Sequence, residues 1–403
     1  MNRDQFEQFF SEQVTEGTDQ LINSIKLILY KIDNQIFEEL NFENEEIYLE
    51  PILFAALNSN LNVDVNSVIW GYKEKEKIKQ IILRTDENGR IYMPNIGYFQ
   101  ISEPYIEVQL SFDSKYLIHK ENELIDFKFE EIFKIHDHFE LVTNPIYVIE
   151  EQFFDEFEND VPVEISEIVK NHTADIILAF DSIKKYAPNW YEIMKKVTRK
   201  IVIFNDQSEK RNSFATQSVH GCAFFNAFQE NYNEVFFIED IAHQCGHIIF
   251  NAYLANKPNI FRIDKNTDIY LKGERNIYNE PRALYVMIHA MYTYESIFTC
   301  FNGCLMSKTF FGDKKHELYG RLAFTLMKFE RDFELLSITD ADGRNQYITD
   351  EGIELINQFK ESYKLCIVNW GENLNTLNLE NQPYNFSYSK FLEINPIHEY
   401  EIK

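Results

Sequence analysis

The chain has 403 residues, 45% of them hydrophobic, with 35 Phe and 23 Tyr. That is enough apolar material for two domains or one elaborate one, and it excludes disorder over most of the length. With 65 acidic residues against 39 basic ones the formal charge is −26, which repels phosphate backbones and anionic lipid and so excludes general nucleic-acid binding.

The first residues, Met1 to Phe10, lack the basic start and continuous apolar stretch of a signal peptide. No apolar run approaches the ~20 residues that span a bilayer. Five cysteines are an odd number at low density and suit a reducing compartment better than a disulfide framework. The expectation is a soluble cytoplasmic protein with no membrane contact.

Helical spacing over the first 50 or so residues, with Leu21, Ile22, Ile25, Leu27, Ile28, Ile32 and Ile36 recurring, predicts a helix there. A Pro51-led apolar segment runs on to Trp70. Between Arg90 and Ile149 the pattern alternates as strands do, notably at Tyr98–Ile101 and Ile106–Phe112, and predicts a partly antiparallel sheet. The acidic run from Glu150 to Pro162 is the candidate boundary between a strand-rich N-terminal region, 1–160, and a mainly helical domain, 161–403. In the second region a helical run to Arg199 precedes a strand at 201–204 and an apolar segment at 222–225. Helices are then predicted over 232–256, 280–303, 312–337 and 349–369. The fold class expected is α+β, with no internal repeat and no low-complexity segment.

The chemistry concentrates in the first of these last four helices. His243-Gln-Cys-Gly-His247 lies in an apolar, proline-free segment with helical periodicity. Residues four apart share a helix face with Cβ atoms about 5–6 Å apart, so two imidazoles can hold one metal ion. Ten histidines give roughly 0.2 such pairs per chain by chance, so the spacing alone is weak. The apolar surroundings strengthen it, because an unpaired imidazole is a poor core residue.

A third ligand has to come from elsewhere. The expected helix opening at Asn279-Glu-Pro-Arg282 has a capping Asn and an early Pro, and it offers Glu280 and His289. Nine residues apart, these lie about 180° from one another around a straight helix, so one metal can take only one of them. Gln244 stands where zinc hydrolases of the His-Glu-x-x-His type carry their general base. An amide cannot take a proton at neutral pH, which argues against peptide hydrolysis. A metal that activates dioxygen needs open coordination positions and no such base.

Three stretches resemble the His-Glu-x-x-His-type peptide β-hydroxylases of ribosomal-peptide biosynthesis. They are Ser213-Phe-Ala-Thr-Gln-Ser-Val-His-Gly-Cys-Ala-Phe-Phe225, His243 to Leu254, and Glu280-Pro-Arg-Ala-Leu-Tyr-Val-Met-Ile-His289 onward to Tyr294, within a span of about residues 210–300, a quarter of the chain. The resemblance implies iron(II) and 2-oxoglutarate as cofactors, with His243, His247 and His289 as iron ligands. It implies hydroxylation of a side chain in a precursor peptide, which the N-terminal region would recognise. Gln244, which stands in place of the motif Glu and is the expected catalytic position, and Ala290, where Gly is usual, are departures from the pattern. Arg282, seven residues before His289, is expected on nearly the same helix face, where it could grip the distal carboxylate of 2-oxoglutarate or simply pair with a protein carboxylate. The competing readings are a zinc protein held by His243, His247 and Glu280, and a non-catalytic peptide-binding scaffold.

Other candidates carry less. Cys300 and Cys304, one turn apart in an apolar helix, read as packing residues, as does Cys245. His136 and His138 could share a strand face, but no third ligand accompanies them. His220 reads as a solvated loop residue. Asp340-Ala-Asp-Gly-Arg-Asn345 fails as a calcium loop because Arg344 occupies an oxygen-ligand position.

Overall fold

The structure, a computed structural model, describes residues 3–59, 63–74, 80–153, 161–206, 211–229, 231–269 and 282–397. It opens with helix α1 (Arg3–Ile32) and the short helices α2 (Glu45–Tyr48), α3 (Pro51–Asn58) and α4 (Val65–Ile69). Strands follow: β1 (Ile81–Arg84), β2 (Arg90–Met93), β3 (Gly97–Gln100), β4 (Glu107–Asp113), β5 (Lys115–Lys120), β6 (Glu123–Leu124), β7 (Lys128–Glu131), β8 (Phe133–Ile135) and β9 (Phe139–Leu141). Helices α5 (Tyr147–Glu150), α6 (Ser166–Tyr186) and α7 (Pro188–Val197) then lead to β10 (Lys200–Phe204), β11 (Phe214–Ala215) and β12 (Cys222–Asn226). The remainder is α8 (Glu234–Ala255), β13 (Asp268–Ile269), β14 (Arg282–Ala283), α9 (Leu284–Ser307), α10 (Gly312–Leu336), α11 (Asp350–Leu374) and α12 (Tyr388–Ile394). The protein is therefore mixed α and β, with a strand-rich N-terminal half and a helical C-terminal half. Among the described residues no helix is long and apolar enough to cross a membrane.

The chain divides into two compact units that interleave along the sequence. One comprises residues 1–15, 174–194 and 231–403, and the other residues 16–173 and 195–230. The acidic run expected to mark a boundary is only partly described, since residues 154–160 lie outside the described residues.

The second unit holds three sheets, ordered β1-β4-β5-β6, β2-β3-β7 and β11-β12-β10-β9-β8. In the last, β9, β10 and β12 pair in parallel, and every residue of β10 and β12 is buried. Burial on both faces explains why Ile201–Phe204 and Cys222–Phe225 read as continuous apolar runs without alternation. Within α1 the buried apolar residues are Phe6, Phe10, Val14, Ile22, Ile25 and Leu29, while Leu27, Ile28 and Ile32 are exposed, so the apolar spacing there overstates the core face. His136 and Asp137 adopt left-handed backbone in the turn between β8 and β9, so His136 and His138 share no strand face. His220 is not solvated either: it is 4% exposed and packs against Phe54, and its Nε2 has no partner among the described residues. Burial and the charge of Arg199 push its pKa down to about 4.

One buried charge cluster ties this unit together. Lys200 Nζ lies 2.5 Å from Glu140 Oε2, 3.2 Å from Glu50 Oε1 and 2.7 Å from the Tyr92 hydroxyl. Tyr72 donates to Glu50 and Tyr92 to Glu140, so both carboxylates are held from two sides. Burial works against the Lys200 charge, but Glu140 and Glu50 outweigh it and hold its pKa above the usual value. Removing the cation alone would leave two buried carboxylates facing one another. Lys200→Met is expected to cost about 3–5 kcal/mol in urea unfolding, and a Lys200→Met/Glu140→Gln double variant to recover part of that. Equal midpoints for wild type and Lys200→Met would show that the cluster does not hold this unit together.

Candidate metal centre

Helix α8 starts where its sequence says it should. The Asn233 side chain accepts from Val235 N at 2.7 Å and caps it, and a 22-residue run without proline carries it to Ala255. Nearly all of the helix is buried. Its accessible positions up to the last turn are Glu239, His243, His247 and Asn251, each four residues from the next. At 3.6 residues per turn these form one slowly drifting stripe, and the two motif histidines are its centre.

The third histidine arrives on α9. Gly246 is what lets that helix come close: a Cβ there would stand 3.1 Å from Ser296 Oγ and 3.4 Å from Thr293 Cγ2. His289, Thr293 and Ser296 follow one another at turns of α9 and face α8 together. As a result His247 Nδ1 and His289 Nδ1 are 3.4 Å apart, and the His247 ring centroid lies 5.6 Å from that of His289 and 5.1 Å from that of His243. The His289 ring is held by Phe250, edge-on at 4.9 Å, and by Tyr285 at 4.3 Å, while Tyr285 donates to Asn251. His289 Nε2 is buried with no hydrogen-bond partner among the described residues.

All three imidazoles are kept neutral, which is the metal-ligating form. Burial is the main cause in each case. It is reinforced at His243 by His247, Lys328 and Arg282, at His247 by Arg282, and at His289 by His247 and Lys265. The His247 value is pushed down to about 4.

The spacing of these nitrogens tests their fit to a metal. Two imidazole nitrogens at about 2.1 Å from one ion, at a tetrahedral angle, are about 3.4 Å apart, which is the separation of the His247 and His289 nitrogens. The pair fits. His243 is in ring contact with His247, yet among the described residues no group of three His, Cys, Asp or Glu side chains is already converged for an ion. Glu280, the competing third ligand, lies outside the described residues.

One expectation changes. Arg282 is not on the helix of His289: it belongs to the two-residue strand β14, paired with Ile269, and α9 begins only at Leu284. Its Nη1 is 2.8 Å from Asp332 Oδ2, a buried carboxylate that also binds Tyr294 and Arg331, so its charge is largely committed within the protein. Gln244 is 3% exposed, and its amide donates to Asp240 one turn back, so the structure does not bring it into the ring cluster. The thiols of Cys245, Cys300 and Cys304 are buried packing groups, and burial raises the pKa of Cys300 and Cys304.

Helix α10 adds residues that no sequence motif marks. Arg321 pairs with Glu239 of the stripe at 2.5 Å and with Glu317 at 2.7 Å. Lys328 donates to the Tyr384 carbonyl and has no ion pair among the described residues. Burial, with Arg331 and Arg282 nearby, pushes its pKa down to about 8 despite Glu239. Both residues lie on one face of α10, seven positions apart, but a sequence period does not say which helix that face meets.

Comparison of the sequence with protein-family models and with curated proteins gives no match to either.

If the α8–α9 contact sets the site, crowding it must be costly. Gly246→Val is expected to lower stability by about 1–3 kcal/mol in urea unfolding. An unchanged midpoint would mean the helices do not press together at Gly246.

Proposed function

We propose that this chain is an iron(II)- and 2-oxoglutarate-dependent hydroxylase acting on a side chain of a ribosomally made peptide, with His243, His247 and His289 as the iron ligands. The observation that carries the proposal is the approach of His289 to His247 on the accessible stripe of an otherwise buried helix. Neutral imidazoles with paired nitrogens at ligand spacing are what a mononuclear site requires. When bound, iron(II) would supply open positions for a keto acid and dioxygen. The overall balance is a peptide C–H, dioxygen and 2-oxoglutarate giving C–OH, succinate and carbon dioxide.

The chain's own residues then have separate tasks. The three histidines hold the metal. Arg282, although anchored by Asp332, remains a quarter exposed on its side chain, and with Lys328 it supplies positive charge beside His243 for the distal carboxylate of the keto acid. Phe250 and Tyr285 fix the His289 ring and keep water from it. Gln244 acts as no base in this reading, since its amide serves Asp240. The peptide would come from a precursor recognised elsewhere on the protein.

Anaerobically purified protein loaded with iron(II) and 2-oxoglutarate, then exposed to oxygen, is expected to release succinate. His243→Ala and His289→Ala should reduce that to background while retaining the wild-type far-ultraviolet circular dichroism. One tightly bound zinc per chain with no succinate would replace this reading with a zinc protein, and neither metal nor succinate would leave a peptide-binding scaffold.

A further inference from the structure

The helical unit contains a half-open cavity of about 470 Å³ that is lined by none of the three histidines. Its walls are mostly apolar: Phe6 and Phe10 of α1, Trp190 and Ile193 of α7, and Tyr292 and Phe298 of α9 are all buried, and the Trp190 Nε1 is a buried donor with no partner among the described residues. Leu365 of α11, 49% exposed, stands among the lining residues as the most open apolar side chain. A volume of this order lies within the range of sites for small molecules, about 300–1,000 Å³.

Its polar lining is unevenly satisfied. Arg3 bridges two carboxylates, with Nε 2.6 Å from Glu7 Oε1 and Nη2 2.6 Å from Glu295 Oε1. Glu295 is 4% exposed, and its Oε1 also accepts from Thr299 at 3.0 Å and Ser362 at 3.1 Å. All these bonds converge on one oxygen. Oε2 has no hydrogen-bond partner among the described residues, although an ionised carboxylate has about four acceptor positions. Glu361, a third lining carboxylate, is paired with Lys364 outside the lining, and Glu7 has Asn189 on its other oxygen. One guanidinium thus serves two carboxylates, and the Oε2 of the deeper one, Glu295, is left without a protein partner among the described residues.

We infer that this cavity binds a protonated amine carried on an apolar chain or ring, with its ammonium on Glu295 Oε2 and its body against the aromatic walls. An ammonium donates to the carboxylate and is attracted to the faces of Phe, Tyr and Trp rings. A neutral ligand of the same shape would bury the walls and leave the oxygen unmet. An anion would be repelled. The same chemistry is presented by a free aralkylamine and by a lysine side chain of a peptide.

The test is calorimetric titration of the intact protein at neutral pH with phenethylamine, with its uncharged isostere phenethyl alcohol and with N-acetyl-lysine methylamide. One amine should bind per chain, and the alcohol should bind roughly tenfold more weakly or worse. The tighter of the two amines identifies the source. Glu295→Gln should weaken the amine by about tenfold or more and leave the alcohol unchanged. Because that variant also removes the partner of Arg3, Leu365→Trp serves as a second: it leaves the Arg3–Glu295 pair in place, should keep the wild-type melting temperature, and should weaken all three ligands by crowding the cavity. Binding of the alcohol as tightly as the amine, amine affinity unchanged in both variants, or no amine binding at all would overturn the inference. None of these results depends on iron or 2-oxoglutarate, so they are independent of the proposed oxygenase activity.

Discussion

The close approach of α8 and α9 at Gly246 is the constraint on which the histidine site depends. Glycine in the middle of a helix costs about 0.5–1 kcal/mol relative to alanine, and here the place of the missing side chain is filled by Thr293 and Ser296. Once those two residues sit against Gly246, the preceding turn of α9 has to deliver position 289 to position 247. Both imidazoles are then fixed by packing, and the rings of Phe250 and Tyr285 complete the enclosure. A side chain larger than glycine at 246 would separate the helices and the two nitrogens with them.

Electrostatics reinforce this arrangement in an unexpected direction. The chain carries a formal charge of −26, yet the groups around the three histidines are cations: Arg282, Lys328 and Lys265. Together with burial they keep the imidazoles neutral. Arg282 is balanced by buried Asp332, and Arg321 by Glu239 and Glu317, which leaves Lys328 as a cation without a carboxylate among the described residues. Lys328 instead donates to the Tyr384 carbonyl and lies over the Phe324 and Tyr384 rings, so its charge is met by a carbonyl and ring faces. The amine cavity has the opposite balance. Its wall residue Tyr292 nevertheless stacks on Phe250, whose ring meets His289 edge-on, so one aromatic layer separates the two sites.

Much of this is legible in the amino-acid sequence, for identifiable reasons. His243 and His247 stand out because a four-residue spacing fixes a helix face whatever the neighbours are. The buried strands 201–204 and 222–225 announce themselves as unbroken apolar runs. Arg282 is misplaced by its sequence because Asn279 and Pro281 look like helix-start signals, whereas residues 282–283 pair with β13 and the helix begins afterwards. His220 reads as solvated because its Gly neighbour signals a loop, and a loop's burial under Phe54 of α3 leaves no local trace. The same limit applies to Lys328, whose role depends on which helix its face meets. It applies again to Glu295, where the informative feature is one unengaged oxygen among long-range bonds to residues 3 and 362.

Whether three imidazoles from two helices hold one metal ion is decided most directly by X-ray absorption at the metal edge. Spectra of anaerobic, iron(II)-loaded protein count the imidazole ligands, and comparison with a His289→Ala variant assigns the third. Wild type is expected to show three imidazole scatterers and the variant two. Two imidazoles in both, with an oxygen donor completing the shell, would contradict the three-histidine centre and assign the third position to a carboxylate such as Glu280.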